Sequence, residues 1–312
     1  MSSPADTLVI IGPTASGKTD LAVSVAERLI AADRPAEVVN ADSMLVYRGM
    51  DIGTAKPSPA ERRGVPHHLI DILDITATAT VAEFQTLARD AIADCHRRGA
   101  LPIVVGGSAL YVRAIVDHFE FPGTDRAIRA RWEDELARIG PEALHRVLAA
   151  TSPTAAADIL PGNGRRIVRA LEVIELTGSW TPTLPEWRYA LPGVVQVGLA
   201  LPREELDRRI AERVDRMWAA GFVEEVRELA ARGLRTGRTA SRALGYRQVL
   251  EYLDGTRTED EAREATITGT RRFARKQQGW FDRDDRITWL TAGDTGPGPA
   301  RLVEQALAVL GQ

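Results

Sequence analysis

The sequence predicts an α/β fold, in which a core with a parallel sheet carries a mainly helical inserted domain. Three observations support this prediction. Short apolar, β-rich segments alternate with amphipathic helical segments in the first third of the chain. A glycine-containing loop joins the first strand to the first helix, and a long helical stretch interrupts the alternation near the middle. Alternation of strands and helices is typical of a parallel sheet covered by helices.

The first part of the chain supplies most of the predicted sheet. Its apolar runs have the length and composition of buried strands, and the segments between them have helical periodicity. The predicted strands cover residues 7–12, 36–40, 68–72 and 101–105, and the predicted helices cover residues 18–31 and 81–98.

The pattern changes in the middle of the chain. Residues 126–177 are mainly helical, and prolines mark both ends of the stretch, at Pro122 and within residues 181–192. Buried strands are then predicted over 194–201 and 286–290, with several helices between them and a short terminal helix. We therefore predict a first part of the core over residues 1–122, a helical insertion over 123–192, and a second part of the core with arginine-rich helices over 193–312.

Composition excludes several classes of protein. Cys95 is the only cysteine, so neither an internal disulfide nor a cysteine-rich zinc site can form. No apolar run approaches the roughly 20 residues that cross a bilayer, and the first residues lack the features of a signal peptide, which predicts a cytoplasmic protein without a membrane partner. The net charge of −3 gives no global signal for nucleic acid, so any RNA surface must come from local clusters of charge.

The most specific motif follows the first strand. The segment GPTASGKT fits the pattern G-x-x-x-x-G-K-[ST] between a strand and a helix, which predicts a P-loop-like core. In such a loop, backbone N–H groups surround phosphate oxygens, the lysine neutralises charge, and the hydroxyl of Thr19 can bind Mg²⁺. The residues predicted to bind the phosphates are Gly12, Pro13, Thr14, Ala15, Ser16, Gly17, Lys18 and Thr19.

The motif does not identify the phosphate compound. Nucleotide-hydrolysing P-loop proteins also need a carboxylate at the end of a second apolar strand. The strand over 101–105 ends instead in Gly106-Gly107-Ser108, and Asp71 is the candidate substitute. A small-molecule or nucleotide kinase remains the alternative interpretation.

An acid follows the second strand. We expect that strand to lie beside the first, so that Asp42 projects at the carboxyl edge of the sheet, where open α/β sheets bind ligands. A general base would be placed there, although an aspartate at this position is also typical of a turn. The polar segment 51–57 contains Lys56, which indicates an anionic contact or a plain surface loop.

Several ordered blocks of the sequence resemble the tRNA dimethylallyltransferase family, and together they span most of the chain. The blocks are GPTASGKT (12–19), NADSMLVYRGMDIGTAKP (40–57), PHHLID (66–71), VGGSALYVRA (105–114), RRIVRALEV (165–173), RVDRMWAAGFVEEVREL (213–229), RALGYRQ (242–248) and TRRFARKQQGWF (270–281).

The resemblance implies a reaction and its partners. A dimethylallyl group would pass from dimethylallyl diphosphate to the exocyclic amine of the adenosine that is 3′-adjacent to the anticodon in tRNA, and diphosphate would leave. The P-loop would then bind an isoprenoid diphosphate with Mg²⁺, and the insertion would help to clasp the anticodon stem-loop. The resemblance also implies a monomer of the bacterial type, since one cysteine cannot form the zinc finger of eukaryotic relatives.

The resemblance also implies roles for individual residues. Asp42 would be the base, Arg213 would contact the diphosphate, and the Ser108 hydroxyl would lie beside the reacting amine, unless Ser108 only caps the next helix. Leu45 stands where glutamine is frequent in the family. The residues implied to contact tRNA are Asp42, Ser43, Met44, Leu45, Ser108, Arg129, Arg165, Arg166, Arg169, Arg242, Gly245, Tyr246 and Arg247.

Basic residues also cluster late in the sequence. Arg271, Arg272, Arg275 and Lys276 fall in one predicted helix, near Trp280. Such a cluster is typical of a phosphate-binding surface, although a solvated helix face has the same composition. The adjacent histidines 67 and 68 are interpreted as structural, because adjacent side chains point in different directions and no third metal ligand is expected nearby.

Overall fold

The computed structural model describes residues 6–180, 186–294, 296 and 298–311. The chain divides into two compact units, one formed by Met1–Asp117 with Tyr189–Gln312 and the other by His118–Arg188. The second unit starts and ends a few residues earlier than the predicted insertion over 123–192. Within the proline-containing stretch 181–192, residues 181–185 lie outside the described part.

The first unit contains, in the described residues, a six-stranded sheet in which every pairing is parallel. The strand order is β3-β2-β4-β1-β5-β6. The predicted α/β class is therefore confirmed. The strands are β1 (Thr7–Ile11), β2 (Ala36–Asn40), β3 (His67–His68), β4 (Leu101–Gly106), β5 (Val194–Ala200) and β6 (Ile287–Thr291).

Two predictions about the sheet are wrong. β2 does not lie beside β1, because β4 is inserted between them and pairs with both. The strand predicted over residues 68–72 covers only His67–His68, because Leu69 and Asp71 adopt left-handed backbone angles, with φ of 61° and 58°, that a strand cannot contain.

Helices cover both faces of this sheet. Along β1, Val9 and Ile11 contribute to one apolar core, and Leu8 and Ile10 contribute to a second core on the other face. Burial on both faces explains why β1 is an almost continuous apolar run rather than an alternating one. The helices of this unit are α1 (Lys18–Ile30), α2 (Pro59–Arg62), α3 (Val81–Arg97), α4 (Ala109–Val116), α9 (Arg203–Ala219), α10 (Phe222–Ala231), α11 (Tyr246–Leu253), α12 (Glu259–Phe281) and α13 (Pro299–Val309).

The second unit is helical and has a core of its own. Leu144, Leu148, Ile167 and Leu171 are almost fully buried in it. Its helices are α5 (Arg126–Ile139), α6 (Pro141–Thr151), α7 (Pro153–Asp158) and α8 (Gly164–Thr177). In the described residues of the whole chain, no helix combines the length and apolar character that crossing a membrane requires.

Candidate active site

The loop between β1 and α1 presents its backbone to a cavity. Ala15 and Gly17 adopt left-handed angles, with φ of 64° and 93°, which fold the chain tightly before the helix begins. Gly17 is the N-cap of α1 and has no side chain to bond the N–H groups of the first turn. Those N–H groups and the positive end of the helix dipole therefore remain available to an anion.

Lys18 supplies a titratable charge at this loop. Its side chain is half-buried, and Nζ donates a hydrogen bond to the Pro13 carbonyl oxygen over 2.6 Å. Burial of the ammonium, followed by the nearby charge of Arg213, lowers the pKa of Lys18 to about 7, whereas the charge of Asp42 acts in the opposite direction. Burial and the neighbouring guanidinium therefore disfavour the charged form of Lys18, and the negative charge of a bound anion would favour it.

Asp42 is held in place by its own neighbours. Its backbone N–H donates to Asn40 Oδ1 over 2.8 Å, and its Oδ1 accepts from Met44 N over 2.9 Å. The buried Asn40 side chain also donates to the carbonyl oxygens of Asp42 and Leu69. One carboxylate oxygen is thus used by a turn, and no side chain among the described residues donates a hydrogen bond to the other. Asn40 is a positioning residue that sequence reasoning missed.

Asp42 and Lys18 line the same cavity, which has a volume of about 110 Å³. Two glycines open the space between them, where β4 separates β2 from β1. A Cβ on Gly106 would lie 2.8 Å from Ala41, and one on Gly107 would lie 2.5 Å from the Gln277 side chain. Larger residues would displace these neighbours. The other lining residues include Thr14, Thr19, Leu45, Thr54, Arg213 and Phe273.

Arg213 enters this cavity from α9. Its Nη2 lies 3.4 Å from the Thr54 carbonyl oxygen, and its buried Nε has no hydrogen-bond partner in the described residues. Burial lowers the pKa of Arg213, the charge of Asp42 raises it, and Arg216 lowers it further. An unpaired buried N–H of a guanidinium is costly unless a ligand accepts from it, which indicates an anion site.

A larger cleft of about 1370 Å³ adjoins the same loop. Lys18, Thr19 and Arg213 line both spaces, so they mark the boundary between the two. Thr19 is exposed, and its hydroxyl has no hydrogen bond within the described residues. A free hydroxyl at this position fits an oxygen ligand for Mg²⁺.

Ser108 is the N-cap of α4, but its side chain makes no capping hydrogen bond in the described structure. It follows Gly106 and Gly107, which line the cavity, but Ser108 itself does not. The simple capping role is therefore not fulfilled, and the hydroxyl is left for another partner.

Gln277 and Phe273 of α12 were missed as site residues. Gln277 is buried, and its Oε1 accepts a hydrogen bond from Thr14 N over 2.9 Å, which anchors the loop. Phe273 is 47% exposed and lines the cavity, so it offers an apolar surface there. Both lie in the block 270–281, in which only the basic residues and Trp280 were predicted to have a function.

The residues after Asp42 have different surroundings. Ser43 lies near the Tyr111 hydroxyl, and Met44 packs, partly buried, against the core. Leu45 lines the cavity, and its carbonyl oxygen accepts from Asp71 N over 3.2 Å. Of the three, Leu45 is therefore the one that the structure places at the cavity.

The Lys56 ammonium is already paired with groups of this chain. Its buried Nζ bonds to Asp51 Oδ1 (2.7 Å), Asp71 Oδ1 (2.5 Å) and the Tyr47 carbonyl oxygen (2.8 Å). The anionic contact indicated by the sequence is thus internal, and Asp71 is occupied by it. Asp71 is consequently a poor substitute for the metal-binding carboxylate of a nucleotide-hydrolysing protein.

The four predicted tRNA contacts in the helical unit fall into two pairs. Arg165 and Arg166 are exposed at the start of α8, and neither side chain has a polar partner in the described residues. Arg129 and Arg169 instead bond to the fully buried Glu172, at 3.4 Å and 2.8 Å. Arg169 also donates to the carbonyl oxygens of residues 122 and 123, so it has a structural task.

The predicted contacts near α11 also divide. Arg242 and Arg247 are exposed, and Arg247 lies 3.6 Å from Glu251. Gly245 and Tyr246 are buried, and the Tyr246 hydroxyl donates to Glu225 Oε1 over 2.6 Å. Packing against Phe222 encloses the Tyr246 side chain, and a tRNA contact at this position stays a prediction.

The basic cluster of α12 is largely unpaired. Arg272, Arg275 and Lys276 are exposed and have no polar partner among the described residues, whereas Arg271 donates to the Asp207 carbonyl oxygen. Trp280 is 41% exposed on the same helix, with the Arg283 guanidinium 5.3 Å from its ring centroid. Exposed cations beside aromatic rings are typical of a surface that binds nucleic acid.

Comparison with known proteins agrees with this geometry. A model of the IPP transferase family matches residues 45–284. A protein named tRNA dimethylallyltransferase from Kineococcus radiotolerans is 63% identical over 305 residues, which are 97% of this chain and 96% of that protein. The protein of the same name from Streptomyces coelicolor is 60% identical over 287 residues, or 92% of this chain and 90% of that protein.

Solved structures extend the likeness to the fold. The tRNA isopentenylpyrophosphate transferase from Bacillus halodurans is 40% identical, with a TM-score of 0.72 over 98% of this chain and 96% of that chain. A eukaryotic dimethylallyltransferase, crystallised in a study of its action on tRNA, is 27% identical, with a TM-score of 0.74 over 92% of this chain and 74% of that one. On this evidence the chain belongs to the IPP transferase family.

Proposed function

We propose that this protein transfers a dimethylallyl group from dimethylallyl diphosphate to the exocyclic amine of the adenosine 3′-adjacent to the anticodon of tRNA. Diphosphate is the leaving product. The protein acts as a monomer in the cytoplasm, as the family resemblance implies. Relatives that carry the name of this activity match nearly the whole chain.

One observation carries the proposal: Asp42 and Lys18 line the same small cavity. A carboxylate that can accept a proton and a cation that can hold a leaving anion are the two groups that this transfer needs. Had Asp42 pointed away from the loop, the reaction would have had no site.

The chemistry assigns a task to each group. The adenine amine is a weak nucleophile because its lone pair is delocalised into the ring, so Asp42 holds and then accepts its proton as the C–N bond forms. The C–O bond to diphosphate breaks at the same carbon, and its electron pair stays on the leaving oxygen. Lys18, Arg213 and the loop N–H groups stabilise that growing charge.

Mg²⁺ fits the donor set at the loop, with Thr19 as the protein ligand. Magnesium sites on phosphate substrates use few protein ligands, with the phosphates and water supplying the others. When bound, the ion would neutralise charge on the leaving diphosphate.

The tRNA surface is proposed to include the exposed arginines 165, 166, 242 and 247, with the hydroxyl of Ser108 near the reacting amine. To reach the cavity, the target adenosine must leave its stack, at a cost of about a few kcal/mol that phosphate and stacking contacts offset. Leu45 and Phe273 supply apolar surface at the cavity for the base or the prenyl group.

A two-label experiment tests the proposal. The protein is incubated with unmodified tRNA and either radiolabelled dimethylallyl diphosphate or γ-labelled ATP, and tRNA nucleosides are then analysed by mass spectrometry. We expect label from the diphosphate donor and one added five-carbon unit on the adenosine beside the anticodon. Label from ATP alone would instead overturn the proposal.

A further inference from the structure

A half-buried carboxylate that is not one of the reacting groups holds a loop at one side of the cavity. Glu225, on α10, accepts hydrogen bonds from three consecutive backbone N–H groups: Asp51 (3.0 Å) and Ile52 (2.6 Å) on Oε2, and Gly53 (3.2 Å) on Oε1. Three N–H donors on one carboxylate form a charge-assisted anchor that is stronger than bonds between neutral groups. The segment from Asp51 to Lys56, here called the Asp51–Lys56 loop, is therefore fastened to α10.

Tyr246 completes the anchor. Its hydroxyl donates to Glu225 Oε1 over 2.6 Å, and its ring lies 5.0 Å from that of Phe222 in an edge-to-face arrangement. Burial and the adjacent Glu225 raise the pKa of Tyr246, so the hydroxyl stays a donor. A Cβ on Gly53 would lie 2.1 Å from the Phe222 ring, so the loop also packs directly on this aromatic pair.

The same loop reaches the reacting groups. Thr54 and Ala55 line the small cavity beside Lys18 and Asp42. The Thr54 carbonyl oxygen is the hydrogen-bond partner of Arg213 Nη2. The contacts therefore run from Tyr246 through Glu225 and the loop to the guanidinium that faces the diphosphate.

We propose that Glu225, fixed by Tyr246, is a positioning residue that sets the Asp51–Lys56 loop and Arg213 for the leaving diphosphate. The proposal rests on the proposed function, because it assigns the same cavity to the donor. Glu225 does not touch the substrate, so it acts by holding the loop in the geometry that the reaction needs. Displacing a site wall by about 1 Å can lower a rate by about 100-fold.

Substitution of Glu225 tests the inference. In Glu225→Gln the amide oxygen can still accept on one side of the anchor, but the N–H₂ group faces N–H donors on the other and the negative charge is gone, so the anchor is weakened at nearly constant volume. We expect the Kd for inorganic diphosphate with Mg²⁺, measured by calorimetry, to rise about 10- to 100-fold, and the KM for the donor to rise with it. The Kd for an anticodon stem-loop RNA should change little. Tyr246→Phe, which removes one hydrogen bond, should change the same constants in the same direction but less.

Glu224→Gln is the matched control, because Glu224 is the neighbouring exposed acid of α10 and pairs only with Arg227 in the described structure. It should behave as the unsubstituted protein does. Unchanged diphosphate affinity in folded Glu225→Gln would overturn the inference, as would equal losses of diphosphate and RNA affinity. If Glu225→Gln does not fold, Tyr246→Phe decides by the same two constants. A failure of the proposed function would give a different result: the unsubstituted protein would bind diphosphate but would transfer no prenyl group to tRNA.

Discussion

Asp42 is the residue on which the proposed proton transfer depends. In Asp42→Asn the side chain still offers an oxygen to Met44 N but can no longer take up a proton. We expect the single-turnover rate of prenyl transfer to fall about 10²- to 10⁴-fold, with little change in the Kd for tRNA. Asp33→Asn, an exposed change at the end of α1, is the control. Equal losses of rate and of tRNA affinity would contradict the role of base.

Lys18 makes diphosphate binding depend on pH. Because its pKa in the free protein is about 7, the ammonium is charged below that pH and neutral above it. The affinity for inorganic diphosphate should therefore weaken as the pH rises from 6 to 8.5. In Lys18→Arg the positive charge persists across this range. Diphosphate itself also titrates here, but it does so equally for both proteins, so the ratio of the Kd of the unsubstituted protein to the Kd of Lys18→Arg isolates the effect of Lys18. A ratio that does not vary with pH would contradict the lowered pKa.

The same lowered pKa has a consequence for stability. The pKa of Lys18 is near its ordinary value of 10.5 in the unfolded chain and about 7 in the folded protein, so between these values the unfolded state binds more protons. Stability gains from this residue as the pH rises from about 7 towards 10.5, whereas below pH 7 the buried charge opposes folding. The charged form of Lys18 thus favours diphosphate binding, whereas its neutral form favours the folded state.

At the scale of elements, α12 presents three exposed cations without partners in the described residues. Neutralising Arg272, Arg275 and Lys276 to glutamine should weaken tRNA binding and make the slope of log K against log salt less steep, by about 0.7 to 0.9 for each phosphate that the helix no longer neutralises. The KM for the donor should not change. A control protein with Arg97, Arg138 and Arg227 neutralised removes three exposed cations that already have carboxylate partners. Equal slopes in the two proteins would exclude α12 from the RNA surface.

Helix α8 carries both kinds of arginine, which predicts two different phenotypes. Arg165→Gln and Arg166→Gln should weaken tRNA binding and leave the Tm unchanged, because these side chains have no partners in the described residues. Arg169→Gln should lower the Tm as well, because Arg169 holds the buried Glu172 and the carbonyl oxygens of residues 122 and 123. Thermal melts and RNA titrations of the three variants separate these outcomes, and equal Tm values would refute the distinction.

These elements also show what local sequence can and cannot predict. The prediction for β2 covers the residues that form it, since the β-branched pair Val38-Val39 within a short segment is a local signal for a strand. The motif residues Lys18 and Asp42 reach one cavity as expected, although the predicted strand order is wrong. The bonds of Gln277 to Thr14 and of Glu225 to Ile52 join residues 263 and 173 positions apart. Such pairs have no local pattern, because tertiary packing creates them.

For the molecule as a whole, a buried ion network joins the places where the chain leaves and re-enters the sheet unit. Asp117 is fully buried and bonds to Arg113 (3.0 Å) and Arg286 (2.8 Å). The backbones of Asp117 and Tyr189 form an isolated antiparallel β-bridge. The Arg286 guanidinium carbon lies 4.1 Å from the centroid of the Tyr189 ring. The network therefore ties the exit and the re-entry of the chain to α4 and to the start of β6, all within the sheet unit.

Asp117→Asn tests the weight of this network. The substitution nearly preserves shape but leaves two arginines near a buried site without their shared counter-charge, which typically lowers the free energy of unfolding by about 3 to 5 kcal/mol. Urea unfolding followed by far-ultraviolet circular dichroism measures the change. Asp94→Asn is the control, because its pairs with Arg97 and Arg98 are exposed and solvent screens them. If both substitutions lower the free energy of unfolding equally, the buried network contributes no more to stability than an exposed ion pair does. The exit and re-entry of the chain would then be held by backbone contacts, such as the hydrogen bond from Ala190 N to the Val116 carbonyl oxygen.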